Sequence, residues 1–356
     1  MASYDLIKDL PLQVDGHELR GHELELSPDF TRVTTEIALR GGDHEGVGED
    51  VTYDGLDHVA FQAEGGTLDL TGSHTLDSFA RRLDELELWP SPPVRDDSRR
   101  YRRWAFESAA LDLALRQAGR SLAEVLGRDA RPLNFVVSMR LTSPGGPGSP
   151  ETAERLLSIL QRFPGTRFKL DPTNTWTDEL VDELAATGAV DSLDLKGFYS
   201  GTPVDVDTDP ELYAMVLEAF PEAWIEDADV TDETRPILKP HASRLTWDAP
   251  IHGVADVEAR PWRPRMVNIK PSRVGPLAAL FGLYDWCEEQ GIGAYGGGQT
   301  ELGVGRGHIQ YLASIFHPDT PNDTAPSGYN QSTPLDDLLT SPLEPRIAAA
   351  GFRWDA

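Results

Sequence analysis

The chain has 356 residues, 39% of them hydrophobic, and a formal net charge of −27. That length buries one large core or two smaller ones, while so acidic a surface repels polyphosphates and anionic membranes, which sets nucleic acid aside as a partner. With Cys287 as the single cysteine and no long apolar run, neither an intrachain disulfide, a signal peptide nor a membrane span is expected, and a cytoplasmic protein is.

The chain opens with a small antiparallel unit. Residues 31–53 alternate with period 2, break at Gly41-Gly42 and resume after Gly46, the pattern of a hairpin. The stretch GHELRGHEL (16–24) places His17 and His22 five apart. The helical zinc motif needs four, so this stretch reads as a loop. Tandem WPSPP (89–93) reads as a solvated turn. A helix follows over 102–119, with Trp104, Leu111 and Leu115 at core spacing and Gly119 as its C-cap.

From residue 133 strands and helices alternate. Strands are expected at 134–141, 166–171, 192–197, 223–227, 244–248, 266–270 and 292–297, with an eighth near 324–330. Helices are expected between them, at 150–162, 177–187, 209–219, 231–238, 254–260, 275–289 and 303–316. Eight such units after a β/α preface predict an α/β protein with a parallel (β/α) TIM-type barrel, and a doubly wound open sheet is the competitor. The expected domains are an N-terminal α+β domain (1–130), the barrel (131–330) and a C-terminal segment (331–356) returning to the first domain. The Gly/Pro-rich run 143–151 is expected as the first βα loop rather than an interdomain linker.

Parallel strands buried on both faces should be apolar. Here five successive strands instead carry Lys169, Asp194, Glu226, Asp248 and Lys270 at or near their C-terminal ends, each about one βα unit from the last. In a barrel that end is the active-site face. Three carboxylates from neighbouring strands form an oxygen-rich set for a hard divalent ion, flanked by two amines. Taken singly each residue is more simply a strand-end ion pair; the ordered series argues for a site.

These motifs resemble the enolase superfamily, within its muconate-lactonizing-enzyme and o-succinylbenzoate-synthase-like subgroup. FESAALDLALRQAGRSLAEVLG (106–127) is similar to the family's helix between capping domain and barrel. RFKLD resembles its Lys-x-Lys strand, WIED its "IE-x-P" strand, NIKPSRVGP (268–276) its sixth-strand lysine segment and GGGQTELGVGRG (296–307) its seventh-strand turn. PNDTAPSGYN (321–330) is similar to the stretch around the eighth strand. DPTNTW also imitates the family's "D-x-N-x-x-W", which would make Asp171 a ligand. That register leaves no lysine-bearing strand before it and moves NIKPSR and GGGQTELG one strand too late.

The resemblance implies an N-terminal capping domain and proton abstraction α to a substrate carboxylate, by epimerisation, elimination or cycloisomerisation. It implies Lys169 and Lys270 as acid/base groups and Asp194, Glu226 and Asp248 as ligands of one Mg²⁺ (or Mn²⁺) per subunit. It further implies substrate contacts from Arg167, Lys196, Asn268, Gln299 and Glu301, and a homo-oligomer. The ion would stabilise the enolate, and a lysine base would need its pKa lowered by burial, by the ion and by Arg167.

Departures from the pattern are Arg167 for the first Lys of Lys-x-Lys, Lys196 for the Asn of "D-x-N", and Ala249 for the Glu after the fifth-strand Asp. The "D-x-D" of dipeptide epimerases is missing from the eighth strand, as is the His-plus-Asp pair of mandelate-racemase-type chemistry. Gly303, Gly305 and Gly307 make only a weak dinucleotide turn, and their amides suit a substrate carboxylate instead. The competing functions are a catalytically silent barrel that binds a ligand or partner, and a metal-dependent sugar isomerase, which lacks its expected histidine.

Overall fold

The computed structural model describes residues 2–354 apart from 28–29, 142–149, 203 and 331–336. The expected first βα loop therefore lies largely outside the described residues.

In the N-terminal domain a short pair, β1 (Pro11–Val14) and a later strand Gly72–Thr75, flanks a three-stranded antiparallel sheet of β2 (Gly16–Ser27), β3 (Phe30–Gly41) and β4 (His44–Asp50). The predicted hairpin is present, but it turns at Gly42, whose φ is +59°, and resumes at His44 rather than after Gly46. GHELRGHEL is not a loop; it is most of β2, paired along its length with β3. Five residues apart on a strand, His17 and His22 face opposite sides. Gly48 sits in β4 because the long helix Ser98–Ala118 lies against it: a Cβ there would stand 2.0 Å from the carbonyl oxygen of Ala105. That helix ends at Gly119 in the left-handed conformation, as predicted.

The helix begins a turn earlier than its apolar spacing suggests, because Arg102 is a core residue. It is fully buried, 2.8 Å from the buried carboxylate of Asp50, with its guanidinium over the rings of Phe61 and Trp89 at 3.8 and 3.5 Å. Trp89, expected in a solvated turn, is therefore buried: it forms one wall of this slot.

With Gly72–Thr75 numbered β5, the barrel strands are β6 (Val137–Met139), β7 (Phe168–Leu170), β8 (Val190–Asp194), β9 (Trp224–Glu226), β10 (Leu245–Thr246), β11 (Met266–Ile269) and β12 (Gly293–Gly296). β6 to β10 pair in parallel in sequence order, and β11 pairs in parallel with β12. The amide of Asn268 donates to the carbonyl of Trp247, which joins the two sheets. The eighth strand is shorter than expected and lies earlier. Asn322 bridges to Phe135 and Asp323 to Gly297, whereas Ser327–Asn330 is a 3₁₀ turn. The side chain of Asn322 completes the closure, accepting from the Gly296 amide at 2.7 Å and donating to the Asn134 carbonyl at 3.0 Å. No helix among the described residues is long and apolar enough to cross a membrane.

Two buried histidines give the fold a pH limit. His308 stacks on Phe352, and neither ring nitrogen has a partner among the described residues. His317 packs against Tyr284 and Asn322. Burial pushes both down to about 4. A histidine depressed in the folded state contributes stability above its unfolded pKa of about 6.5 and loses it as pH falls through the folded value. Stability should therefore decline between about pH 6.5 and 4, by up to about 3 kcal/mol per histidine. His308→Phe should flatten that decline in urea denaturation at pH 7 and 4.5; an unchanged slope would count against it.

Candidate active site

The barrel strands deliver their charged ends to one place. Lys169, in the middle of β7, is buried; its Nζ pairs with Glu226 Oε1, lies 3.2 Å from Asp194 Oδ2 and 3.7 Å from Asp323 Oδ2. Asp194 ends β8 and Glu226 ends β9, each 1% exposed or less. Asp248 and Lys270 follow β10 and β11 and meet at 2.7 Å. All five predicted groups are thus brought to the C-terminal end of adjacent strands. Lys169 lies on β7, the second strand of the parallel series, and Asp171 directly follows that strand.

Three residues here adopt a left-handed backbone without being glycine: Lys196 at φ +55°, Asp227 at +53° and Thr300 at +59°. Such conformations are costly and persist only where the surroundings impose them. At Asp227 the effect is decisive. Alternation along β9 should turn it away from Glu226, but the left-handed step swings its carboxylate back. There it accepts the amides of Asp248 and Ala249 at 2.8 and 2.9 Å. One oxygen each from Asp194, Glu226 and Asp227 lies within 4.8 Å of the others. Asp227 was missed by sequence reading, though the adjacent acids of WIED were its signal.

The donor set fits a hard divalent cation: buried carboxylate oxygens from adjacent strands, with room in the coordination sphere for substrate or water. Asp248 is turned towards Lys270 and towards Arg273, a second residue not foreseen. Arg273 is three positions after Lys270 on the short helix Pro271–Val274, hence on the same face. Tyr295 of β12 donates to Glu226 Oε2, and Tyr199 lies 3.4 Å from Asp248 Oδ2.

Burial disfavours the Lys169 ammonium, but the charges of Glu226, Asp194 and Asp323 outweigh it and hold its pKa well above the usual value. Burial, opposed by Lys169, pushes Glu226 well up. Asp227 is raised to about 7 by burial and by the charges of Asp248 and Asp194. Asp194 and Asp248 move down despite burial, held by Lys196 with Lys169 and by Arg273 with Lys270 respectively.

The predicted substrate contacts divide. Arg167 does not join the site: it precedes β7, and its guanidinium binds Asp191 and the Gly188 carbonyl instead. Arg167 stands before the first residue of β7, at the end of the strand opposite the one that carries the site. Lys196 does join, 2.5 Å from Asp194 Oδ2. Asn268 is 1% exposed with an amide unpartnered among the described residues. Gly297 faces it because a Cβ there would stand 2.8 Å from Lys270 Cε and 2.9 Å from Asn268 Nδ2.

Gln299 links the two domains, accepting from Tyr53 at 2.7 Å and donating to Tyr101 at 3.3 Å. Buried Arg32 reinforces the link by donating to the carbonyls of Gln299 and Thr300. Glu301 is turned into its own loop, bound to the Gln299 amide and Arg306. The amides of Gly303 and Gly305 do meet a carboxylate, but it belongs to Glu49 of β4 rather than to a substrate.

A family model described as "Domain of unknown function (DUF8230) C-terminal domain" matches residues 129–331, and the model of the corresponding N-terminal domain matches residues 5–125. The chain is 26% identical to an o-succinylbenzoate synthase of Geobacillus stearothermophilus over 247 residues, 67% of this chain and 62% of that protein. It is 28% identical to an N-succinylamino acid racemase of Amycolatopsis sp over 239 residues, 64% of this chain and 61% of that protein. The matched region thus spans less than two thirds of these relatives. The fold is similar to the crystal structure of a dipeptide epimerase from Methylococcus capsulatus complexed with Mg ion, with TM-score 0.65 and 20% identity over 87% of this chain and 89% of that one. The two share their fold, here an N-terminal domain of antiparallel strands followed by a parallel (β/α) barrel.

Proposed function

Since the chain belongs to the DUF8230 family and carries the enolase-superfamily fold, we propose that it removes a proton α to the carboxylate of a small acid, with Lys169 and Lys270 as the acid/base pair. The observation that carries this reading is the arrangement of two buried amines on neighbouring carboxylates at one barrel end, Lys169 on Asp194 and Glu226, Lys270 on Asp248. Asp194 and Glu226, with Asp227 or Asp248, would hold the divalent ion, proposed as Mg²⁺. When bound, that ion supplies electrostatic stabilisation for the charge that develops on the substrate carboxylate.

Lys169 is kept protonated here by the same carboxylates that would hold the ion. Withdrawn from Glu226 and Asp194, its ammonium would lose that support, and burial would then favour the free amine a base requires. Lys270, approaching from β11, would deliver or accept the proton on the other face, or stand as a cation beside the enolate. The relatives, an o-succinylbenzoate synthase and an N-succinylamino acid racemase, are compatible with this reading.

A second reading also has support. Each predicted ligand already carries a protein cation, Lys196 on Asp194, Lys169 on Glu226, and Lys270 with Arg273 on Asp248, as a silent binding barrel would tolerate. Incubation with N-acyl amino acids and other small acids in D₂O with Mg²⁺ separates the two. Deuterium at the α-carbon is expected, and no exchange across a broad acid library favours the binder.

A further inference from the structure

Three of the five lysines of this chain, Lys169, Lys196 and Lys270, stand in one site, and the residue at position 196 is where the family resemblance expects an asparagine. Lys196 grips Asp194 twice. Its Nζ lies 2.5 Å from Oδ2 and its backbone amide donates to Oδ1 at 3.2 Å. The same Oδ2 also carries Lys169 Nζ at 3.2 Å. A divalent cation that uses Asp194 Oδ2 therefore competes with two ammonium groups for it.

The two ammonium groups differ in the second carboxylate within their reach. Lys169 is held by Glu226, itself a member of the oxygen cluster, and its contact outside the cluster, Asp323 Oδ2, is more distant at 3.7 Å. Lys196 instead has Asp171, whose Oδ1 is 3.3 Å from its Nζ and hydrogen-bonds nothing else among the described residues. Asp171 is half-buried beside Lys196, the two side chains 13% and 12% exposed, and lies outside the oxygen cluster. A flexible four-carbon stem lets the ammonium cross from one carboxylate to the other without moving the backbone.

We infer that Lys196 and Asp171 form a metal-linked counterion exchange: Lys196 neutralises Asp194 before the ion arrives and transfers to Asp171 when it binds. The transfer keeps the Lys196 ammonium paired with a carboxylate in both states. This inference rests on the divalent-ion reading above, and Lys196 acts as a positioning residue, not as an acid or base.

The test is a double-mutant cycle read by calorimetric titration with Mg²⁺ alone, on wild type, Lys196→Met, Asp171→Asn and the double variant. Lys196→Met removes the competitor and should tighten Mg²⁺ about tenfold. Asp171→Asn removes the landing site and should weaken it about tenfold, and by at least about fivefold more when Lys196 is present than when it is methionine. Equal effects of Asp171→Asn in both backgrounds, or an unchanged affinity in Lys196→Met, would overturn the exchange while leaving the ion site standing. Absence of Mg²⁺ binding in all four proteins would overturn the ion site itself. Should a variant fold poorly, lysine-selective NMR of the wild type suffices: the Lys196 signal should shift saturably with Mg²⁺, and a static signal refutes the transfer.

Discussion

Lys169→Ala and Lys270→Ala are each expected to lower α-proton exchange by about 10²–10⁴-fold, the usual contribution of a positioned acid/base group. The two amines reach the site from different strands, β7 and β11, so for a chiral acid each variant should lose exchange into a different enantiomer. Isotope incorporation followed separately for the two enantiomers reads this directly. Mg²⁺ affinity, measured on the same proteins, should survive both substitutions, because each removes a competing cation and no oxygen donor. Exchange within about tenfold of wild type in both variants would end the two-lysine assignment.

Arg102→Met should be the most damaging single change to the fold. It leaves the Asp50 carboxylate buried without its counter-charge, and it empties the slot between Phe61 and Trp89. Burial raises the pKa of Asp50, but Arg102 more than offsets this and holds it low. Breaking such a pair from one side costs about 3–5 kcal/mol. Chemical denaturation of the variant checks the figure. Adding Asp50→Asn to the same chain should return part of the loss, since an amide is cheaper to bury than a lone charge; a single-variant loss below about 1 kcal/mol would show that the pair is not structural.

Much of the architecture was legible in the residues. Strands of a parallel barrel are buried on both faces, so a charge at a strand end stands out against an apolar run, and Lys169, Asp194, Glu226, Asp248 and Lys270 all stood out in that way. Their spacing then ordered the strands, because each βα unit has a nearly constant length. Gly119 announced the end of its helix for an equally local reason, its tolerance of a left-handed backbone.

What escaped depends on contacts between segments distant in the chain. Arg102 and Trp89 look solvent-facing by composition and are buried because Asp50 and Phe61, from other elements, complete their surroundings. Asn322 and Asp323 close the barrel by single bridges, too short to leave a strand pattern. Arg167 follows period-2 alternation on paper, but it precedes β7, at the end of the strand away from the site, and binds Asp191 there. Asp227 does the reverse, pulled into the oxygen cluster by a left-handed step that the Asp248 and Ala249 amides stabilise. Periodicity records which way a regular backbone points its side chains. Where tertiary hydrogen bonds bend that backbone, as they do at Asp227 and Lys196, only the assembled barrel decides where the charge ends up.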